Sequence, residues 1–198
     1  METVTGKETN VSNTKNVPNR VNVEGVDRSE IRQYKIRQTK YLYTTRFNND
    51  TYSNNRAFCE RTKLKGIYNV LTGLPRSVPL QSIVYVLEMN NETHKIMGIG
   101  KILNNRRDEI YRVYENDIYN QKHYRVRSRI SLENTTDLDE NEKALINLLE
   151  YHCFYTKGHL KRGQGLTSFP WGLLTENAKK GYDILREVEK MFEKRKSI

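Results

Sequence analysis

The sequence predicts an α+β domain, and three observations lead to it. Through the middle of the chain, apolar residues gather in short β-branched and aromatic stretches. In the last third they recur at helical spacing instead. Turn chemistry, "LPRSVPLQS" and "NNET", separates the middle stretches. At 198 residues the chain fits one domain.

In chain order, residues 1–27 are rich in Asn, Thr, Val and charge with no sustained period, which predicts a flexible arm ahead of a single domain over 28–198. "DRSEIRQYKIRQ" reads as a short helix capped by Asp27 or Ser29, and "KYLYTTRF" as a strand. "TYSNNRAFCERTKLKG" reads as a polar loop, and "GIYNVLTG" as a short strand running into a turn. "IVYVLEM" and "HKIMGIGKIL" flank "NNET" and predict an antiparallel hairpin. "YRVYEN" and "HYRVRSRISL" supply further strands. The second alternates Tyr124, Val126, Ser128 and Ile130 against Arg125, Arg127 and Arg129, so a period of two sets three guanidinium groups side by side.

The period then changes. "DLDENEKALINLLEYHCF" opens with Asp137 and Glu140 at capping-box spacing and carries Leu145, Leu148 and Leu149 on one face. "LLTENAKKGYDILREVEKMFEKRK" repeats the pattern with Ile184, Leu185, Val188, Met191 and Phe192. Between them lies "KGHLKRGQGLTSFPW", a basic connection with three glycines.

Charge narrows the function. A net charge of +10 and a pI near 9.5 point to a polyanionic partner, nucleic acid first. The two cysteines, Cys59 and Cys153, read as reduced thiols of an intracellular protein in the cytoplasm or nucleus. The N-terminus lacks the apolar core of a secretory signal, and no apolar run reaches bilayer length, so no membrane partner is expected. His152, Cys153 and His159 match no zinc spacing, and no phosphate-cradling loop, dinucleotide fingerprint or nucleophile elbow occurs. The reading is noncatalytic, with no cofactor and no metal; the one catalytic arrangement the residues allow pairs His159 and Arg162 with Glu60.

The binding residues follow from chemistry. Arg125, Arg127 and Arg129, joined by Lys161 and Arg162 of the basic connection, are the expected phosphate contacts, since guanidinium forks hold phosphate bidentately. Gly158, Gly163 and Gly165 would let backbone approach a ligand. Gln164 offers a donor and an acceptor to a base edge. With Asn55, Tyr68 and Trp171 it forms the expected base pocket, while Phe169 and Trp171 also anchor the following helix.

The stretches "VYVLEMNNETHKIMGIGKILNN", "YRVYENDIYN" and "GHLKRGQGLTSFPWGLL" resemble an uncharacterised protein family of large DNA viruses of eukaryotes, over roughly residues 40–195. That resemblance implies viral origin and brings no activity. The hairpin, the next strand and the basic stretch before a closing helix are more distantly similar to PUA-like modules such as EVE, YTH and ASCH domains. The likeness implies a small curved mixed or antiparallel sheet closing into a barrel, with helices outside and a pocket for a base, sometimes a modified one. Under it, Tyr68 of "GIYNV" matches the tryptophan of a YTH cage, and "HLKRGQGL" matches the EVE-type basic segment with Arg162 and Gln164 near the ligand. Tyr68 departs from the cage tryptophan. The alternative reading is a structural or virion-associated protein that uses its basic surface and arm to contact genome or other viral proteins.

Overall fold

The computed structural model describes residues 25–134 and 136–195; the expected arm lies outside these except for residues 25–27. Among the described residues five α-helices and seven strands follow in chain order: α1 (Arg28–Arg37), β1 (Lys40–Phe47), α2 (Asn49–Thr62), β2 (Ile67–Asn69), β3 (Ile83–Asn90), β4 (Lys95–Leu103), β5 (His123–Arg125), β6 (Ser128–Ser131), α3 (Glu140–Glu150), β7 (Thr167–Ser168), α4 (Trp171–Lys179) and α5 (Ile184–Lys194). The fold is α+β, built on a mixed five-stranded sheet of order β6-β4-β3-β1-β7. β1 and β3 run parallel from Lys40↔Ile83 to Phe47↔Asn90, and the other pairs are antiparallel.

The sheet does not close into the expected barrel: β6 and β7 are its edges, and β5 leaves it to pair with β2 in a separate ribbon. The cause sits at residues 126 and 127. The Val126 N–H donates to Gly66 O (2.9 Å) and the Arg127 N–H to Lys101 O (2.8 Å), so the chain changes partner from β2 to β4 within two residues. The single strand expected at "HYRVRSRISL" is therefore two, and its alternation is broken.

Both faces of the sheet are covered. Leu42, Tyr85, Leu87, Met89 and Ile99 pack against α1, α3, α4 and α5 on one side. Val84, Val86, Ile102, Tyr41 and Tyr43 pack against the β2-β5 ribbon and Tyr52 of α2 on the other. Every helical-face residue expected in α5 (Ile184, Leu185, Val188, Met191, Phe192) is buried, each contributing about 1.5–3 kcal/mol.

Local chemistry accounts for the other differences from expectation. Residues 49–62 are helix rather than loop, because Asn48 and Thr51 form a capping box and Tyr52, Asn55, Phe58 and Cys59 make a narrow buried stripe. "YRVYEN" is not a strand: the Val113 and Tyr114 N–H groups donate to Oδ1 of Asn120 at 2.8 and 2.9 Å, so a side chain takes the donors a ladder would need. The α3 capping box is Asp139 with Glu142, two residues later than expected. The last helix is two, α4 and α5, separated at Gly181 (φ 88°), with Asp183 capping the second.

Candidate nucleic-acid interface

The expected arginine ridge is dispersed. Arg129 is inside the protein: its Nε lies 3.0 and 2.9 Å from the two carboxylate oxygens of Glu88, and its Nη2 lies 2.6 Å from Oε2. Its side chain is only 10% exposed and that of Glu88 2%. Tyr68 donates its hydroxyl to Glu88 Oε1 at 2.7 Å, while Arg129 also donates to the Tyr52 hydroxyl at 2.8 Å. Burial holds the Tyr68 hydroxyl well above its ordinary pKa, and the Glu88 charge adds to it, so the phenol stays a donor. Burial alone would lower the Arg129 pKa, yet the Glu88 carboxylate beside it lifts it above its ordinary value. Both residues complete an interior network and neither meets solvent ligands.

The glycines of "GIG" explain how that network fits. A Cβ on Gly98 would lie 2.7 Å from Arg129 Nη2 and 2.8 Å from Glu88 Oε2. The register of β3 and β4 shifts between Glu88 and Met89, which sets Glu88 opposite Gly98 and Met89 opposite Ile96.

Asn55 is also interior, donating to Ile67 O at 2.9 Å and to the Tyr114 hydroxyl at 3.1 Å. Trp171 opens α4, half-buried, with edge-on contacts to Tyr34 and Tyr41 at 6.3 and 6.1 Å. Phe169 is buried completely. The base pocket expected from Asn55, Tyr68, Gln164 and Trp171 is thus not assembled: the first two are core, the third is exposed, and the fourth serves packing.

Arg125 is half-exposed, donates to the Tyr111 hydroxyl, lies 5.5 Å over that ring and meets Glu109 at 3.4 Å. Arg127 is exposed at the β5–β6 corner with no side-chain partner among the described residues.

The basic connection carries Lys157, Lys161 and Arg162. After α3 the chain continues through a π-helical turn, Tyr151–Tyr155, which buries Cys153 and Phe154 and exposes Tyr151 and Tyr155. Such turns are rare and recur at functional sites. The following loop folds back so that Leu160 N–H donates to Cys153 O at 2.9 Å and His159 N–H to Thr156 O at 3.0 Å. Lys161 is pinned through its carbonyl, which accepts from the Arg46 guanidinium and from Asn91 Nδ2 at 3.2 Å. Its ammonium lies 3.0 Å from His94 Nε2. His94 in turn stacks on Phe154 (5.5 Å, 26°) and meets Tyr155 edge-on (5.9 Å, 88°). Lys157, Arg162 and Gln164 of the same connection are exposed, and neither Lys157 nor Arg162 has an ion-pair or hydrogen-bond partner among the described residues.

The glycines here serve the fold. Gly165 (φ 60°) sits against Val70, whose Cγ1 would be 3.5 Å from an added Cβ, and Gly163 sits against Thr167. Among the described residues no hydrogen bond or ion pair joins His159 to Glu60. Among the described residues no group of His, Cys, Asp or Glu is placed to hold a metal ion, and no helix is long and apolar enough to cross a membrane.

Sequence reasoning missed Tyr151, Tyr155, His94 and Arg46. A signal existed for the tyrosines: "YHCFYTKGHLKR" interleaves aromatics with cations just where the helical pattern ends. Nothing local in the sequence pointed to His94 or Arg46, whose partners lie 67 and 115 residues away.

No family model, curated protein or solved structure matches the chain. The resemblances to viral proteins and to PUA-like modules therefore rest on sequence motifs alone.

Proposed function

We propose that the chain is a noncatalytic nucleic-acid-binding module whose phosphate contacts come from the loop after α3. One observation carries this reading: Lys157 and Arg162 are exposed and unpaired among the described residues, on a loop pinned to the sheet through Lys161. Elsewhere some cations face a carboxylate, as Lys95 with Glu150, Lys122 with Asp108, Lys179 with Glu30 and Arg195 with Glu142. Others, such as Lys63, Lys65 and Arg76, are likewise exposed without an ion pair among the described residues. The loop differs in joining its cations to exposed tyrosines. A cation with no protein counterion attracts an external anion, and a +10 chain steers polyanions toward it. Arg127 at the β5–β6 corner is a second contact. Arg129 is not one, since its charge is already spent on Glu88. A PUA-like base pocket has no support from Tyr68 or Asn55, so selectivity is not assigned to them.

The test is binding of the purified protein to labelled single- and double-stranded RNA and DNA across a salt series, with Lys157→Glu/Arg162→Glu for comparison. Binding should fall steeply with salt, and the variant should lose affinity and flatten the log–log slope by about two, close to one per phosphate contact. Equal binding by both proteins moves the site elsewhere. Absence of binding leaves the structural, virion-associated reading.

A further inference from the structure

We infer that this site takes single-stranded nucleic acid, with an unpaired base stacked on Tyr155 while the flanking phosphates meet Lys157 and Arg162. The inference rests on the nucleic-acid reading above and names the form of the ligand.

Tyr155 is 63% exposed, although it follows directly on Phe154, which is 3% exposed. Its ring contacts are steeply inclined, at 88° to His94 and 70° to Phe154, so neither ring is stacked parallel on it. The support beneath is packed and hydrogen-bonded. Phe154 belongs to the core, His94 is stacked on Phe154, and Lys161 bridges to His94 with its carbonyl clamped by Arg46 and Asn91. An exposed ring backed by packed side chains offers a flat apolar surface on which a base can stack.

The cations supply the second half of the argument. Lys157 is two residues along the chain from Tyr155, and Lys161 touches the same His94 ring that Tyr155 touches. Exposed aromatics interleaved with unpaired cations along one loop are the combination that binds single strands: a ring takes a base and the cations follow the backbone. A duplex keeps its base faces inside its own stack and offers Tyr155 nothing except at its ends. Tyr151, 56% exposed and one turn earlier, is available to a neighbouring base.

The experiment is fluorescence anisotropy with end-labelled oligo(U), oligo(dT) and a DNA duplex, each about twelve nucleotides or base pairs long, within the usual site size. The full chain is compared with Tyr155→Ala, Tyr155→Phe and Arg162→Glu, each checked for fold by circular dichroism. The wild type should prefer the single strands. Tyr155→Ala should weaken single-strand binding by between about fivefold and a hundredfold, the range for one lost stacked base, and leave duplex binding unchanged. Tyr155→Phe should restore it, since phenylalanine keeps the face. If Tyr155→Ala binds single strands like the wild type, or the duplex is preferred, the inference is overturned. Should Arg162→Glu still weaken binding in that case, the nucleic-acid reading survives without it. If the wild type binds none of the probes, both readings fall together.

Discussion

Gly100 of β4 lies directly beneath the hydroxyl of Tyr68: a Cβ built on Gly100 would come within 2.8 Å of the Tyr68 Cζ and closer still to its oxygen. The missing side chain is what lets Tyr68 reach from the ribbon over β4 to Glu88 of β3. Strand glycines often mark such close approaches.

From this follows the first prediction. Gly100→Ala displaces a fully buried tyrosine and breaks its hydrogen bond, so stability should fall by overpacking of about 1–3 kcal/mol plus a further 1–3 for the unpaired polar groups. Urea unfolding measures it. A loss below about 1 kcal/mol would mean Tyr68 has somewhere else to go.

The second prediction concerns the pair at the centre of the same network. Arg129→Met leaves Glu88 buried without its partner and should cost about 3–5 kcal/mol. Adding Glu88→Gln should recover much of that loss, because the isolated charge is then gone. A double-mutant cycle reads the coupling. A phosphate-contacting Arg129 would behave differently: stability nearly unchanged and nucleic-acid affinity reduced.

The third is a pH effect. His123 is completely buried; burial lowers its pKa below 6.5, with Arg125 and Arg107 adding to the effect against the Glu109 carbonyl that accepts from Nδ1. The folded protein therefore holds fewer protons than the unfolded chain as pH drops through 6.5. Stability is complete above that value and declines below it until the folded-state pKa is passed. His152, also lowered by burial, acts in the same direction. The carboxylates held low by Arg195 and Lys194, Glu142 and Asp139, contribute a separate loss only below about 4.5. Denaturation midpoints at pH 7.5, 6.5 and 5.5 should decrease in that order, and His123→Gln should flatten the decline between the last two. An unchanged slope in that variant would assign the effect to other groups.

How much of this was legible beforehand differs from element to element. The β3–β4 hairpin could be read because dense β-branched and aromatic runs flank an Asn-Asn turn, all within about twenty residues. The buried face of α5 could be read because its period is local. α2 could not: a polar helix with a narrow buried stripe carries little hydrophobic signal, and its capping box uses Asn48 and Thr51 in place of the familiar Ser and Glu.

The sequence by itself determined an α+β chain of strong positive charge with a basic connection before its closing helices. Those properties depend on composition and on spacing between near neighbours. Only the tertiary structure decided which basic residues face outward. Arg125, Arg127 and Arg129 share one periodic pattern, yet the change of partner strand at Val126 and Arg127 sends the first to Tyr111, the second to solvent and the third to Glu88, 41 residues away. A period of two specifies one face only while a strand keeps one partner. Once the backbone hydrogen bonds pass from β2 to β4, burial and charge pairing are set by residues the local pattern does not contain.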